Sequence, residues 1–100
     1  MLIVAGTLDL APEHREELLR HALPLMEATH QEAGNHEYVF SADPSDPGRV
    51  RIFEIWESEE ALASHFGEPH MAEFGGKLGD LGVTGNDLTK YAISESGPLR

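Results

Sequence analysis

The chain contains no cysteine, which excludes disulfides, a thiolate nucleophile and Cys-ligated zinc. Basic residues are also scarce: seven Lys+Arg stand against eighteen Asp+Glu, a formal net charge of −11. A phosphate backbone or an anionic lipid surface repels such a chain, so neither nucleic acid nor membrane is an expected partner. Arg15/Arg20 and Arg49/Arg51 lie among acids and make no basic patch. No apolar run approaches the ~20 residues that a membrane-spanning helix needs. The opening MLIVAGTLDL has no basic segment before its apolar run and meets an acid at Asp9, so it reads as a strand and not as a secretory signal. No glycine-rich phosphate loop is present; Gly76 to Gly79 is a lone fragment. The expectation is a soluble, cytoplasmic protein.

What is present fits one domain over residues 1–100, with a tail from about residue 95. A chain this short buries a modest core, and covering a sheet face with a second subunit would add to it. Leu2 to Leu10 is rich in aliphatic residues and predicts a first strand. Pro12 then suits the first position of a helix, since its missing N–H would be unpaired there, and Glu13, Glu16 and Glu17 complement the helix dipole. Leu18, Ala22, Leu25, Met26 and Thr29 recur at helical spacing, predicting a helix from Pro12 to about Glu32 with a bend at Pro24 and a stop at Gly34.

His36 to Ala42 predicts a second strand, and the dense turn signal Asp43 to Gly48 follows it. Val50 to Trp56 predicts a third, with Val50, Ile52, Glu54 and Trp56 on one face and Arg51, Phe53 and Ile55 on the other. Ser58 is a helix N-cap ahead of Glu59 and Glu60. The short helix that it opens places Leu62, His65 and Phe66 on one side and ends at Gly67. Pro69 begins another helix carrying Met71, Phe74, Leu78 and Leu81, and Leu88 to Ser94 predicts a last strand. The order β-α-β-β-α(α)-β predicts an α+β fold of the ferredoxin-like split β-α-β class: a four-stranded antiparallel sheet with helices on one face. The other sheet face would carry Phe53 and Ile55 bare, which predicts a homodimer packed through that open face.

Three pieces of the chain carry a family resemblance. One is a strand ending Glu54-Ile-Trp56-Glu57-Ser58, and another runs from Ala61 through His65, Pro69, His70 and Met71 to Phe74. The third is Glu32, Gly34 and Tyr38 ahead of the second strand. On these the chain resembles the antibiotic biosynthesis monooxygenase family of dimeric α+β barrels, and most nearly its quinol monooxygenase members. The resemblance implies oxidation of a small electron-rich aromatic or quinol by O2 without metal, flavin or haem. It also implies a pocket between sheet and helices, lined by Thr7, Ile52, Glu54, Trp56, Leu62, His65 and Phe74. Ile52 and Leu62 replace the Asn and Tyr of anthrone-oxidising members, and Thr7 and Gly75 replace the Asn and His of haem-degrading ones.

Within that frame His65 is the candidate general base, because an imidazole titrates near neutral pH. Glu54 is its candidate partner, since a buried carboxylate requires one. Trp56 and Tyr38 are candidates to hold a substrate ring, with Thr7, Ile52, Leu62 and Phe74 completing the binding surface. Each has a structural alternative: a core aromatic, or a salt-bridged Glu–His pair. His65 and His70, five positions apart across a helix break, lack a third ligand in the sequence pattern, so no metal is expected. A non-catalytic dimeric binding or stress-response module, or an isomerase acting on a small hydroxy-ketone, are the alternative functions.

Overall fold

The alternation of Val50, Ile52, Glu54 and Trp56 sets the layering in the computed structural model, which describes residues 1–100: all four are buried, while Arg51 and Phe53 between them are exposed. They lie on β3 (Arg49–Trp56), which pairs with β1 (Leu2–Asp9) on one side and β2 (Asn35–Ala42) on the other. With β4 (Gly85–Ala92) on the far edge of β1, the antiparallel sheet has the order β2-β3-β1-β4. α1 (Pro12–His30), α2 (Glu59–Phe66) and α3 (Pro69–Asp80) cover one face. β3 thus splits the β1-α1-β2 unit, which is the ferredoxin-like arrangement. No helix is long and apolar enough to cross a membrane.

α1 buries Leu18, Ala22, Leu25 and Thr29, the stripe expected from its spacing, and runs through Pro24 on its exposed side. Its end differs from expectation. The helix stops at His30, and the N–H groups of Gln31 and Glu32 close tight turns onto the Ala28 and Thr29 carbonyls. Gly34 is no helix stop; at φ 86 it turns the chain into β2. The edge strand also differs, beginning at Gly85 and ending at Ala92. β1 presents unpaired backbone groups along its whole free edge, and all eight residues of β4 pair with it. That ladder overrides the low strand propensity of Gly85, Asn86 and Asp87. The two strands lie so close that a Cβ on Gly6 would sit 1.9 Å from the Asp87 carbonyl oxygen.

Side chains lock the connections. The Arg15 guanidinium on α1 donates to the backbone carbonyls of Asp43 (3.1 Å) and Asp46 (2.8 Å), clamping the β2–β3 turn. Within it the Asp43 carboxylate accepts from the Ser45 N–H and hydroxyl and from Arg51 Nε. The Ser45 hydrogen bonds, then Arg51, hold its pKa down to about 2. Ser58 caps α2 as expected, accepting from the Ala61 N–H at 3.1 Å, and α2 and α3 meet at Gly67–Glu68. Phe66 stands on the same side of α2 as Leu62 and His65 but, unlike them, is 65% exposed.

The turn after α1 packs tightly on α2. The Gly34 carbonyl accepts from the Glu57 N–H at 2.7 Å, and a Cβ on Gly34 would lie 2.6 Å from that of Ala61. Glycine is thus required twice, by φ and by contact. Gly34→Ala is expected to destabilise the fold by at least ~1–2 kcal/mol from the left-handed backbone alone. Gly75→Ala, in α3 with nothing within 4 Å of its Cβ, is expected to stabilise by up to ~1 kcal/mol. Urea unfolding of both variants checks this; equal effects of one sign would contradict it.

Candidate active site

The tight turn at Gly34 has a chemical consequence, because Glu32 stands two residues before it. Its carboxylate, 8% exposed, reaches across the top of α2 and α3. One oxygen, Oε2, lies 2.8 Å from His65 Nδ1 on α2 and 2.6 Å from His70 Nε2 on α3. Two ring N–H groups donating to one carboxylate satisfy a charge that would otherwise be costly to bury. They also fix the tautomer of each ring: with its proton on Nδ1, His65 presents the lone pair of Nε2. That atom is fully buried and has no hydrogen-bond partner in the protein.

His65, 1% exposed, packs against Trp56 at 4.7 Å between ring centroids and against Tyr38 at 5.1 Å. Together with α3 these elements enclose a cavity of about 460 Å³, within the usual range for small-molecule pockets. Tyr38, Ile52, Glu54, Leu62, His65 and Phe74 all line it, so six of the eight candidates from the sequence come together. Most of the remaining wall is apolar, from Val4, Leu8, Phe40, Met71 and Leu78. At its rim Lys90 on β4 bridges to Glu59 on α2 at 3.0 Å.

Two candidates lie elsewhere. Thr7 pairs with Arg51 in register, and odd positions of β1 share the open face with the odd positions of β3, away from the helices. Trp56 faces the helices but is 0% exposed, packs on the His65 ring and does not line the cavity. It serves as a support, packing the imidazole and donating from Nε1 to Glu54 Oε1 at 2.8 Å.

The expected Glu54–His65 pair is therefore not formed: Trp56 satisfies Glu54, and Glu32 satisfies His65. The view that His65 and His70 lack a third ligating group also fails, since Glu32, His65 and His70 bring their donor atoms within 4.8 Å of one another. Spacing along the sequence could not show this. Glu32 lies in a turn, and only its place in the Glu32-x-Gly34-x-x-x-Tyr38 piece marked it. Burial raises Glu54 to about 7, opposed by the Trp56 hydrogen bond and reinforced by the Glu32 charge. Burial, then the charges of Glu54 and Glu32, push the Tyr38 phenol up. Its hydroxyl meets only the weak acceptor Met71 Sδ, at 3.8 Å.

Comparison with known proteins gives a consistent picture. The family model described as "Antibiotic biosynthesis monooxygenase" matches residues 1–77. "Uncharacterized protein sll1783" of Synechocystis is 30% identical over 98 residues, spanning 98% of this chain and 67% of that protein. "Putative monooxygenase YcnE" of Bacillus subtilis is 26% identical over 95% of this chain and the whole of its own. A crystal structure from Deinococcus radiodurans, described as a "putative antibiotic biosynthesis monooxygenase", superimposes with a TM-score of 0.91 at 32% identity, covering 100% of this chain and 99% of its own.

Glu54 yields a stability prediction. Its pKa rises on folding from 4.5 to about 7, so the stability it contributes is fully present below 4.5 and is lost as pH climbs through 7. Relative to Glu54→Gln, the wild type is expected to lose stability, on the order of 3 kcal/mol, between about pH 5 and pH 8. Urea midpoints across that range measure it, and parallel profiles for the two proteins would contradict it.

Proposed function

The chain belongs to the antibiotic biosynthesis monooxygenase family, and from that premise we propose that it oxidises a small electron-rich aromatic of the quinol type with O2 in the cavity beneath α2 and α3. The observation that carries this is His65: a buried imidazole on the cavity wall, its Nδ1 held by Glu32 and its Nε2 without a partner. An unpaired buried acceptor is costly, and a substrate hydroxyl would satisfy it.

In the proposed step His65 Nε2 takes a ring hydroxyl proton, and Glu32 stabilises the imidazolium that forms. Glu54, with its pKa near 7, is placed to accept the second proton. The resulting quinolate is electron-rich enough to reduce O2 itself. One oxygen atom enters the ring, the other leaves as water, and the product is the hydroxyquinone. All four electrons come from the substrate, so the balance requires no separate reductant. Tyr38 can donate to a substrate oxygen, and Phe40 and Phe74, at 5.4 Å with an 88° tilt, offer faces to a flat ring. The largely apolar wall favours holding such a ring in one orientation.

The functional unit is proposed to be a homodimer through the open sheet face. Val39 and Phe53 are each 38% exposed there, and Tyr91 is 54% exposed. Val39 is directly opposite Phe53 on β2 and β3, while Tyr91 pairs with Ile3. A continuous apolar strip of this kind favours a partner of the same surface.

The experiment is O2 uptake with panels of quinols and anthrones, on samples whose mass is measured by light scattering. Wild type is expected at twice the 11.0 kDa chain mass, with turnover on at least one quinol. His65→Gln is expected to lower that turnover by roughly 10²–10⁴-fold, and Glu32→Gln to lower kcat with little change in KM. Unchanged turnover in His65→Gln would remove His65 from the mechanism. No O2 uptake with any substrate of the panels would favour a non-catalytic binder, and an 11.0 kDa particle would end the dimer proposal.

A further inference from the structure

We propose that Glu32, His65 and His70 form a binding site for one divalent transition-metal cation of the zinc class. This inference rests on the donor geometry and is independent of the oxidation chemistry above. The three donors come from three segments: the turn after α1, the last turn of α2 and the first turn of α3. Carboxylate Oε2, His65 Nδ1 and His70 Nε2 all lie within 4.8 Å of one another. Two imidazoles and one carboxylate form a donor set that zinc-like ions accept, with a further position left for water. Mg²⁺ and Ca²⁺, which prefer oxygen ligands, fit it poorly.

The present contacts of 2.6 and 2.8 Å need to open by roughly 0.5–0.8 Å to take bonds of ~2.0–2.1 Å around a tetrahedral ion. The donors are held before any ion arrives, because the same carboxylate already orients both rings. The net charge of −11 attracts cations to the chain. Access is through His70. His70 is 21% exposed and lines a second, smaller cleft of about 280 Å³ between α1 and α3. That cleft also carries His21, Glu73 and Lys77; Glu73 draws a cation in, and Lys77 opposes it.

The consequence lies on the other nitrogen of His65. A neutral imidazole carries one proton. In the metal-free site that proton is on Nδ1, shared with Glu32, and the unpartnered Nε2 is an acceptor. A cation on Nδ1 moves the proton to the buried Nε2, which becomes a donor instead of an acceptor. Metal occupancy and proton acceptance by His65 are thus mutually exclusive.

The test is calorimetric titration of the untagged chain with ZnCl2 and with NiCl2. The comparison set is wild type, Glu32→Gln, His70→Asn and the surface control His14→Asn. His14 is exposed on α1, away from the cluster. The expected result is one ion per chain in wild type and in the control. Affinity should fall at least roughly tenfold in Glu32→Gln and in His70→Asn, while circular dichroism shows both variants folded. No saturable binding in wild type would overturn the proposal. So would binding that both folded variants retain, since the ion would then sit on exposed histidines. Should one variant fail to fold, the other decides by the same criterion.

Discussion

One carboxylate oxygen shared by two imidazoles ties this molecule together. Glu32 Oε2 joins the end of α1 to the two short helices, and neither helix is long enough to be stable by itself in water. A buried carboxylate with no partner would be strongly destabilising, whereas one with two N–H donors is satisfied and directional. The same contacts therefore link the turn after α1 to both short helices and leave Nε2 as the unpartnered nitrogen of His65. Structure and proposed chemistry depend on one geometry.

That geometry depends in turn on close backbone packing. Gly34 allows the turn to press onto Ala61, and this places Glu32 above the joint between α2 and α3. Below, Trp56 and Tyr38 confine the His65 ring, while Trp56 also donates to Glu54. Two carboxylates of different character result. Glu32 accepts two ring N–H groups, and Glu54, with a single indole donor, is raised by burial to about 7. Environment thus gives two chemically alike groups different surroundings.

Much of this architecture was legible in the sequence because it is periodic. The stripe Leu18, Ala22, Leu25 and Thr29 and the alternation Val50, Ile52, Glu54 and Trp56 each mark a buried face. Gly67 and Pro69 marked the helix joint. Tyr38, Ile52, Glu54, Leu62, His65 and Phe74 were grouped through the family resemblance, with periodicity giving only their faces, and all six line the cavity. Thr7 was placed by the resemblance alone; β1 is aliphatic on both faces, so its own pattern gives no parity, and the register with Arg51 puts Thr7 on the open face. Glu32 falls three positions after Thr29, at the expected end of the α1 stripe, and that spacing says nothing about a histidine partner. Its role comes from a contact spanning 33 residues to His65 and 38 to His70, which local spacing does not encode. The edge strand was mislocated for a related reason: its extent follows from pairing with β1 and not from its own residues.

The central claim is that Glu32 fixes His65 with its proton on Nδ1 and its lone pair on Nε2. Histidine-selective ¹⁵N NMR of the metal-free protein near neutral pH tests it most directly. The account predicts that His65 shows a protonated Nδ1 and an unprotonated Nε2, and that Glu32→Gln abolishes this preference while the fold persists. A wild-type His65 with its proton on Nε2, or a tautomer unchanged in Glu32→Gln, would contradict it.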